Sequence, residues 1–209
     1  MKTQTQPMVA LTFDDGPTRL YTPAILDILT QYDSSATFFI LGSMAENLGE
    51  MLSQEVNRGN EIGIHSYDHV SFADISPQEL TIQLLQAQEV IVRSTGYPAN
   101  LLRPPYGIIN EGLAAQIPFP IILWSIDTLD WQSQNPQLIF QHVKDVVQDG
   151  DIVLLHDIFE TTVEATRLIV PYLIEQGYQL VTVSELAASR GITLEKGKVY
   201  SSFPPIAGT

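Results

Sequence analysis

The sequence predicts an α/β fold built on a parallel sheet, and three observations carry that reading. Strand-like apolar segments alternate with helix-like segments along the whole chain, as in strands joined by helical crossovers. Several strand segments are unbroken apolar runs, which strands buried on both faces require. The residues able to do chemistry fall directly after strands, where parallel α/β folds bind their ligands.

Residues 9–13 form the first strand, which stops at Asp14-Asp15-Gly16-Pro17. Thr22-Pro23 opens a helix, with Thr as its cap and Pro at the first helical position. Ala24, Ile25, Ile28 and Leu29 give that helix its apolar stripe. Residues 36–40 and 61–64 are the next strands. Ser76-Pro77-Gln78-Glu79 is a capping box for a long helix through about Ser94. Short strands follow at 101–103 and 120–124, and Asn135-Pro136 starts another helix. Residues 152–155 are a strand, and 161–176 form a helix that Gly177 can close. Residues 178–181 are the last strand. No internal repeat or linker divides the chain, so one domain spans 8–198, and the Pro-, Ser- and Gly-bearing stretch 199–209 reads as a tail.

Composition excludes several functions. With 24 acidic against 10 basic side chains and a net charge of −14, the chain lacks the basic stripe that nucleic acids need. The same balance argues against anionic membrane surfaces. No run of about 18 apolar residues is present, so no transmembrane helix is expected. The absence of Cys removes disulfides, thiolate metal sites and cysteine nucleophiles. Residues 1–7 are polar and too short for a secretory signal. They fit either a cytoplasmic chain or one whose leader has been removed.

Two adjacent carboxylates at a strand end are costly unless something uses them, although an Asp-Gly turn is the plain alternative. His65 and His69, after the third strand, are four apart. On a helical turn both imidazoles would share a face and reach one ion. With Asp14 or Asp15 as a third ligand, two His and a carboxylate make a catalytic type of metal site with open positions. Of the four His, His156 also follows a strand, whereas His142 falls within a helix and reads as a surface or structural residue. Arg103-Pro104-Pro105-Tyr106-Gly107 is a stiffened loop able to aim a backbone N–H. Asp127 to Trp131 sets carboxylates beside a face on which a sugar can stack. His156-Asp157 closes the sixth strand.

Taken together, the chain resembles the polysaccharide deacetylases, the NodB-homology domain of carbohydrate esterase family four. Thr12–Pro17, His65–His69, Arg103–Gly107, Asp127–Trp131 and Leu154–His156 match that family's motifs in order, within a resemblance covering residues 8 to 190. The resemblance implies a distorted (β/α) barrel of about seven parallel strands surrounded by helices. It implies metal-dependent removal of acetyl groups from N-acetylglucosamine polymers such as chitin, chito-oligosaccharides or peptidoglycan.

Carried over residue by residue, Asp14 is the base, and Asp15, His65 and His69 hold a divalent ion, usually Zn²⁺ though Co²⁺ can serve. Arg103 orients the base, and the Tyr106 backbone N–H helps form the oxyanion hole. Asp130 tunes the acid, Trp131 walls the groove, Leu154 lines the acetyl-methyl pocket, and His156 is the acid. The resemblance assigns Asp127 no individual task. It implies an N-acetylated glycan as substrate, a monomer, and an extracytoplasmic or wall-associated location. Val70-Ser71-Phe72 departs from the proline that many relatives place after the second His. An O-acetyl (xylan) esterase of the same family and an inactive glycan-binding relative are the alternatives. A non-haem iron oxygenase also uses two His and a carboxylate, but needs neither a paired Asp nor an acid His on a separate strand.

Overall fold

The computed structural model describes residues 6–109, 111–114 and 116–205. Its strands are β1 (Met8–Asp14), β2 (Thr37–Ile40), β3 (Glu61–Ile64), β4 (Ile121–Ile122), β5 (Ile126–Asp127), β6 (Ile152–His156), β7 (Gln179–Leu180) and β8 (Val199–Tyr200). Every residue of β1 after Met8 is buried, because this strand has parallel neighbours on both edges and packing on both faces. The main sheet runs β3-β2-β1-β6-β5, all parallel.

Backbone pairing continues past the β3 end of that sheet. Beyond β3, Ile64 bridges Leu102, and Leu102 bridges Ile121 of β4. The chain then passes from β4 into β5, which pairs with β6. β7 wedges in at the start of β1, against Met8 and Val9, whereas β2 pairs β1 only from Thr12 onward. This is a parallel-stranded α/β fold ringed by helices, with a distorted barrel wall.

Three details of the strands and the C-terminal stretch depart from the sequence reading, each for a physical reason. The strand expected at 101–103 is reduced to isolated bridges at Leu102, because Pro104 and Pro105 have no N–H with which to extend a ladder. The strand expected at 120–124 is broken, and its carbonyls at Ile122 and Leu123 accept from the Arg103 guanidinium. The stretch read as a tail is built into the fold as far as it is described. β8 pairs with β4, Ser202 bridges Asp151, and Phe203 is buried among Ala10, Phe39 and Ile152. Residues 206–209 of that stretch lie outside the described residues.

The helices form where their caps and apolar stripes indicate. The capping box at Ser76 and Glu79 is formed and starts the helix Pro77–Thr95. Asn135 caps Pro136–Val146 by accepting from the N–H groups of Gln137 and Leu138. The first helix, Tyr21–Gln31, starts earlier than expected, and its Ile25, Leu26, Ile28 and Leu29 are buried in the core. Each such side chain contributes about 1.5–3 kcal/mol by burial, so Leu26→Ala would cost about 2–5 kcal/mol. Thr22 is not its cap. Thr18 Oγ1 accepts from the N–H groups of Tyr21 and Thr22, while Thr22 is buried and turns its hydroxyl to Asp157.

Candidate active site

The strand ends of β1, β3 and β6 converge on one cavity of about 330 Å³. Asp14, Asp15, His65, His69, Tyr106, Asp127, Trp131, Leu154 and His156 all line it. Asp14 on β1 pairs directly with His156 on β6, so the register of the central strands sets these two residues beside each other at the strand ends.

His65 and His69 meet, but not on a helical turn as their spacing suggested. β3 ends at Ile64 and the chain enters a loop in which Ser66 and His69 have φ of 72° and 66°. The Ser66 hydroxyl accepts from the His69 N–H at 2.9 Å. The Ser66 and Tyr67 carbonyls accept from Gly42 and Ser43 N–H groups, which tie the loop to its neighbour. Beyond it, Phe72, in the stretch that departs from the family pattern, is buried in the core.

The tautomer of His65 follows from its partner. Its Nδ1 lies 2.8 Å from the Arg103 carbonyl oxygen, which can only accept, so Nδ1 carries the proton and Nε2 turns a lone pair to the cavity. Burial lowers the His65 pKa against the pull of Asp14 and Asp15, keeping the ring neutral, as ligation requires.

Asp14 and Asp15 are adjacent yet occupy different environments. Asp15 has φ of 74°, a left-handed turn that separates its course from that of the strand residue before it. Its Oδ1 lies 3.4 Å from His65 Nε2 and 3.3 Å from His69 Nε2. That oxygen is buried with no hydrogen-bond partner, an expensive state unless a ligand completes it. One ligand atom from each of Asp15, His65 and His69 falls within 4.8 Å of the others. The donor set and the orphaned oxygen fit a divalent ion.

Asp14 instead accepts from Arg103 Nη1 at 2.7 Å. Arg103 has no exposed surface and is fixed on every side. It donates to Thr12 Oγ1 and to the carbonyls of Ile122 and Leu123, and its guanidinium stacks over Phe39 at 4.1 Å. A fork held this way fixes the orientation of the carboxylate it grips.

At the end of β6, His156 is fixed by Asp130. Its Nδ1–H donates to Asp130 Oδ1 at 2.7 Å and its backbone N–H to Oδ2 at 2.7 Å. Asp130 is fully buried and also accepts from the Thr162 hydroxyl and the Trp131 N–H. Burial alone would lower the His156 pKa. The Asp130 hydrogen bond and charge, with the charges of Asp14 and Asp15, outweigh burial and push it up to about 9.

The remaining walls are largely apolar. Trp131 is half exposed, Leu154 closes the floor, and Tyr106, at φ of 62°, sets its ring edge-on to His69 at 4.7 Å. Gly107 has φ of 67° and no room for a Cβ, which would lie 2.7 Å from the Trp124 ring. Asp127 Oδ1 accepts from the Leu129 N–H at 2.9 Å. His142 is exposed on its helix, away from the cavity.

Sequence reasoning missed Trp124 and Phe159, which also line the cavity. Both lie within a few residues of a strand end, the position that marked the other site residues. It also gave no task to Asp157, whose carboxyl is buried against Gly16 and Thr22. Burial pushes that carboxyl up to about 7, against the hydrogen bond from Thr22.

Residues 1–118 match the family described as polysaccharide deacetylase. The peptidoglycan-N-acetylglucosamine deacetylase PgdA of Listeria monocytogenes serotype 1/2a is 40% identical over 199 residues, covering 95% of this chain and 42% of that protein. The chain thus spans about two fifths of the length of this curated relative. Among solved structures, a T48 deacetylase with substrate superposes with a TM-score of 0.91 at 36% identity, covering 94% of this chain and 98% of that one. A family 4 acetyl xylan esterase from Clostridium thermocellum, in complex with cobalt, gives 0.89 at 31% identity, covering 94% and 99%.

Proposed function

This chain belongs to the polysaccharide deacetylase family, and on that premise we propose that its cavity hydrolyses the N-acetyl groups of N-acetylglucosamine-containing glycans, releasing acetate. One observation carries the reading. Asp14 and His156 occupy paired register positions, each gripped by its own buried partner, Arg103 on one side and Asp130 on the other. A base and an acid held in unlike environments are what amide hydrolysis needs.

Asp15, His65 and His69 would hold the divalent ion, with Zn²⁺ the ion best suited to the imidazole and carboxylate donors. Bound there, it would supply polarisation of the acetyl carbonyl and a more acidic water. Asp14, held by Arg103, takes the proton from the attacking water. The Tyr106 backbone N–H donates to the carbonyl oxygen as charge builds there, and losing one such donor costs about 3–4 kcal/mol of barrier. His156 turns Nε2 to the substrate while Asp130 holds Nδ1, and it protonates the departing nitrogen. Leu154 receives the acetyl methyl group, and Trp131 offers its face to the sugar ring.

The likeness to a peptidoglycan-N-acetylglucosamine deacetylase supports this substrate class, and chitin-type chains, chito-oligosaccharides and peptidoglycan share the N-acetylglucosamine unit. Action on a wall glycan would place the protein outside the cytoplasmic membrane. Among the described residues no helix is long and apolar enough to cross a membrane. Acetate release from chitin oligomers, peptidoglycan and acetylxylan, with and without chelator, tests the proposal. Activity on the first two is expected, lost on chelation and restored by Zn²⁺ or Co²⁺. Full activity after exhaustive chelation would sink the metal assignment. The likeness to the acetyl xylan esterase supports a second reading as an O-acetyl esterase, which release from acetylxylan alone would favour.

A further inference from the structure

Asp157 follows the proposed acid directly, is fully buried, and has no part in the mechanism above. Its contacts all converge on the segment that carries the two site carboxylates. Its backbone N–H donates to the Asp14 carbonyl at 3.3 Å, and its own carbonyl accepts from Thr18 Oγ1 at 3.1 Å. Its Oδ2 accepts from the Thr22 hydroxyl, and that hydroxyl accepts in turn from the Thr18 N–H at 2.7 Å. The carboxylate also fills the space beside Gly16, where an added Cβ would lie 2.3 Å from Oδ2 and 2.4 Å from Oδ1.

Asp15 sits inside this frame with φ of 74°. A non-glycine residue holds such a conformation only where its surroundings over-determine it. Oδ1 of Asp157 has no hydrogen-bond partner, so the group is not explained as a satisfied polar core residue. Its shape and its Thr22 contact account for its position. We propose that Asp157 is a positioning residue: through Gly16, Thr18 and Thr22 it holds the left-handed turn that aims the Asp15 carboxylate at His65 and His69. The inference rests on the reading of those three residues as the metal site.

The test is a zinc titration of metal-free protein by calorimetry, on variants checked for folding by circular dichroism. Asp157→Ala is expected to weaken zinc binding about tenfold or more, the scale on which outer partners of a metal site act. Thr22→Val, which removes one hydroxyl and keeps the shape, should weaken it in the same direction. Asp157→Asn keeps an oxygen for Thr22 and fills the same space, and should stay within about threefold of wild type. In each variant kcat should track the zinc affinity while KM for a chitin oligomer holds. A folded Asp157→Ala protein that binds zinc as tightly as wild type overturns the inference. If that variant does not fold, unchanged zinc affinity in Thr22→Val overturns it equally. An Asp157→Asn protein as weak as the alanine variant would also overturn it, because the packing contacts would then not be what matters. Failure of the wild type to bind zinc would overturn the metal reading itself, and this inference with it.

Discussion

The two walls of the cavity solve different problems with similar parts. On one wall, Arg103 grips Asp14 in a fork whose remaining donors are tied to Thr12, Ile122 and Leu123. On the other, Asp130 grips His156 through its ring and its backbone together. Arg103 holds a permanent charge, so the first pair fixes geometry. His156 titrates, so the second pair sets a protonation state. On the proposed roles, the Arg103–Asp14 wall should therefore fail as a scaffold when cut, and the Asp130–His156 wall as a pH function.

The largest effect is expected at Asp14. Asp14→Asn keeps the shape but cannot accept the water proton, and kcat should fall about 10³-fold, within the range general bases supply. Zinc affinity should hold, since Asp15 and not Asp14 faces both His rings. Wild-type turnover in this variant would end the base assignment, and lost zinc binding would end the division of labour between the two carboxylates.

Arg103→Leu comes next and strikes the fold as well as the reaction. Asp14 is left buried without its partner, and breaking a buried pair from one side costs about 3–5 kcal/mol. A denaturant midpoint unchanged from wild type would show that Arg103 is not the scaffold described. Asp130→Asn should instead leave the protein folded and move its pH profile. His156 is protonated up to about pH 9 with Asp130 in place, against an ordinary value of 6.5. The basic limb of kcat/KM should lie above the ordinary histidine value in wild type and move to lower pH in the variant. A limb that stayed put would remove Asp130 from the control of the acid.

The parts of this arrangement written locally were legible in the sequence, and the parts made by distant contact were not. Asp14, Asp15, His65, His69, Arg103, Asp130 and His156 stood out because each lies just past an apolar run. The proposed sharing of tasks between Asp14 and Asp15 depends on Arg103, 89 residues away, and entered only through the family resemblance. The spacing of His65 and His69 suggested a helical turn, whereas a loop with two left-handed residues brings the rings together. Trp124 and Phe159 looked like ordinary apolar residues because nothing local marks a side chain as cavity-facing. The stretch from 199 looked like a tail because it bears Ser, Pro and Gly. Phe203 overrides that composition by entering the core, its N–H donating to the Gly150 carbonyl at 2.7 Å.

The smallest expected effect separates the walls by stability alone. In metal-free protein the His156 pKa is raised in the folded state. The stabilisation it contributes is therefore fully present below pH 6.5 and is lost as pH rises through about 9. The shift corresponds to about 3 kcal/mol at most. Asp157, raised to about 7 from 3.8, also binds its proton more tightly when folded, so its share is lost in the adjoining lower window, between about pH 4 and 7. The two windows scarcely overlap. Asp130→Asn should therefore flatten the fall in melting temperature between pH 7 and 9 and leave the fall below pH 7 as it was. Arg103 does not titrate in either range, so a slope between pH 7 and 9 that Asp130→Asn left unchanged would mean that His156 is not the group its buried carboxylate controls.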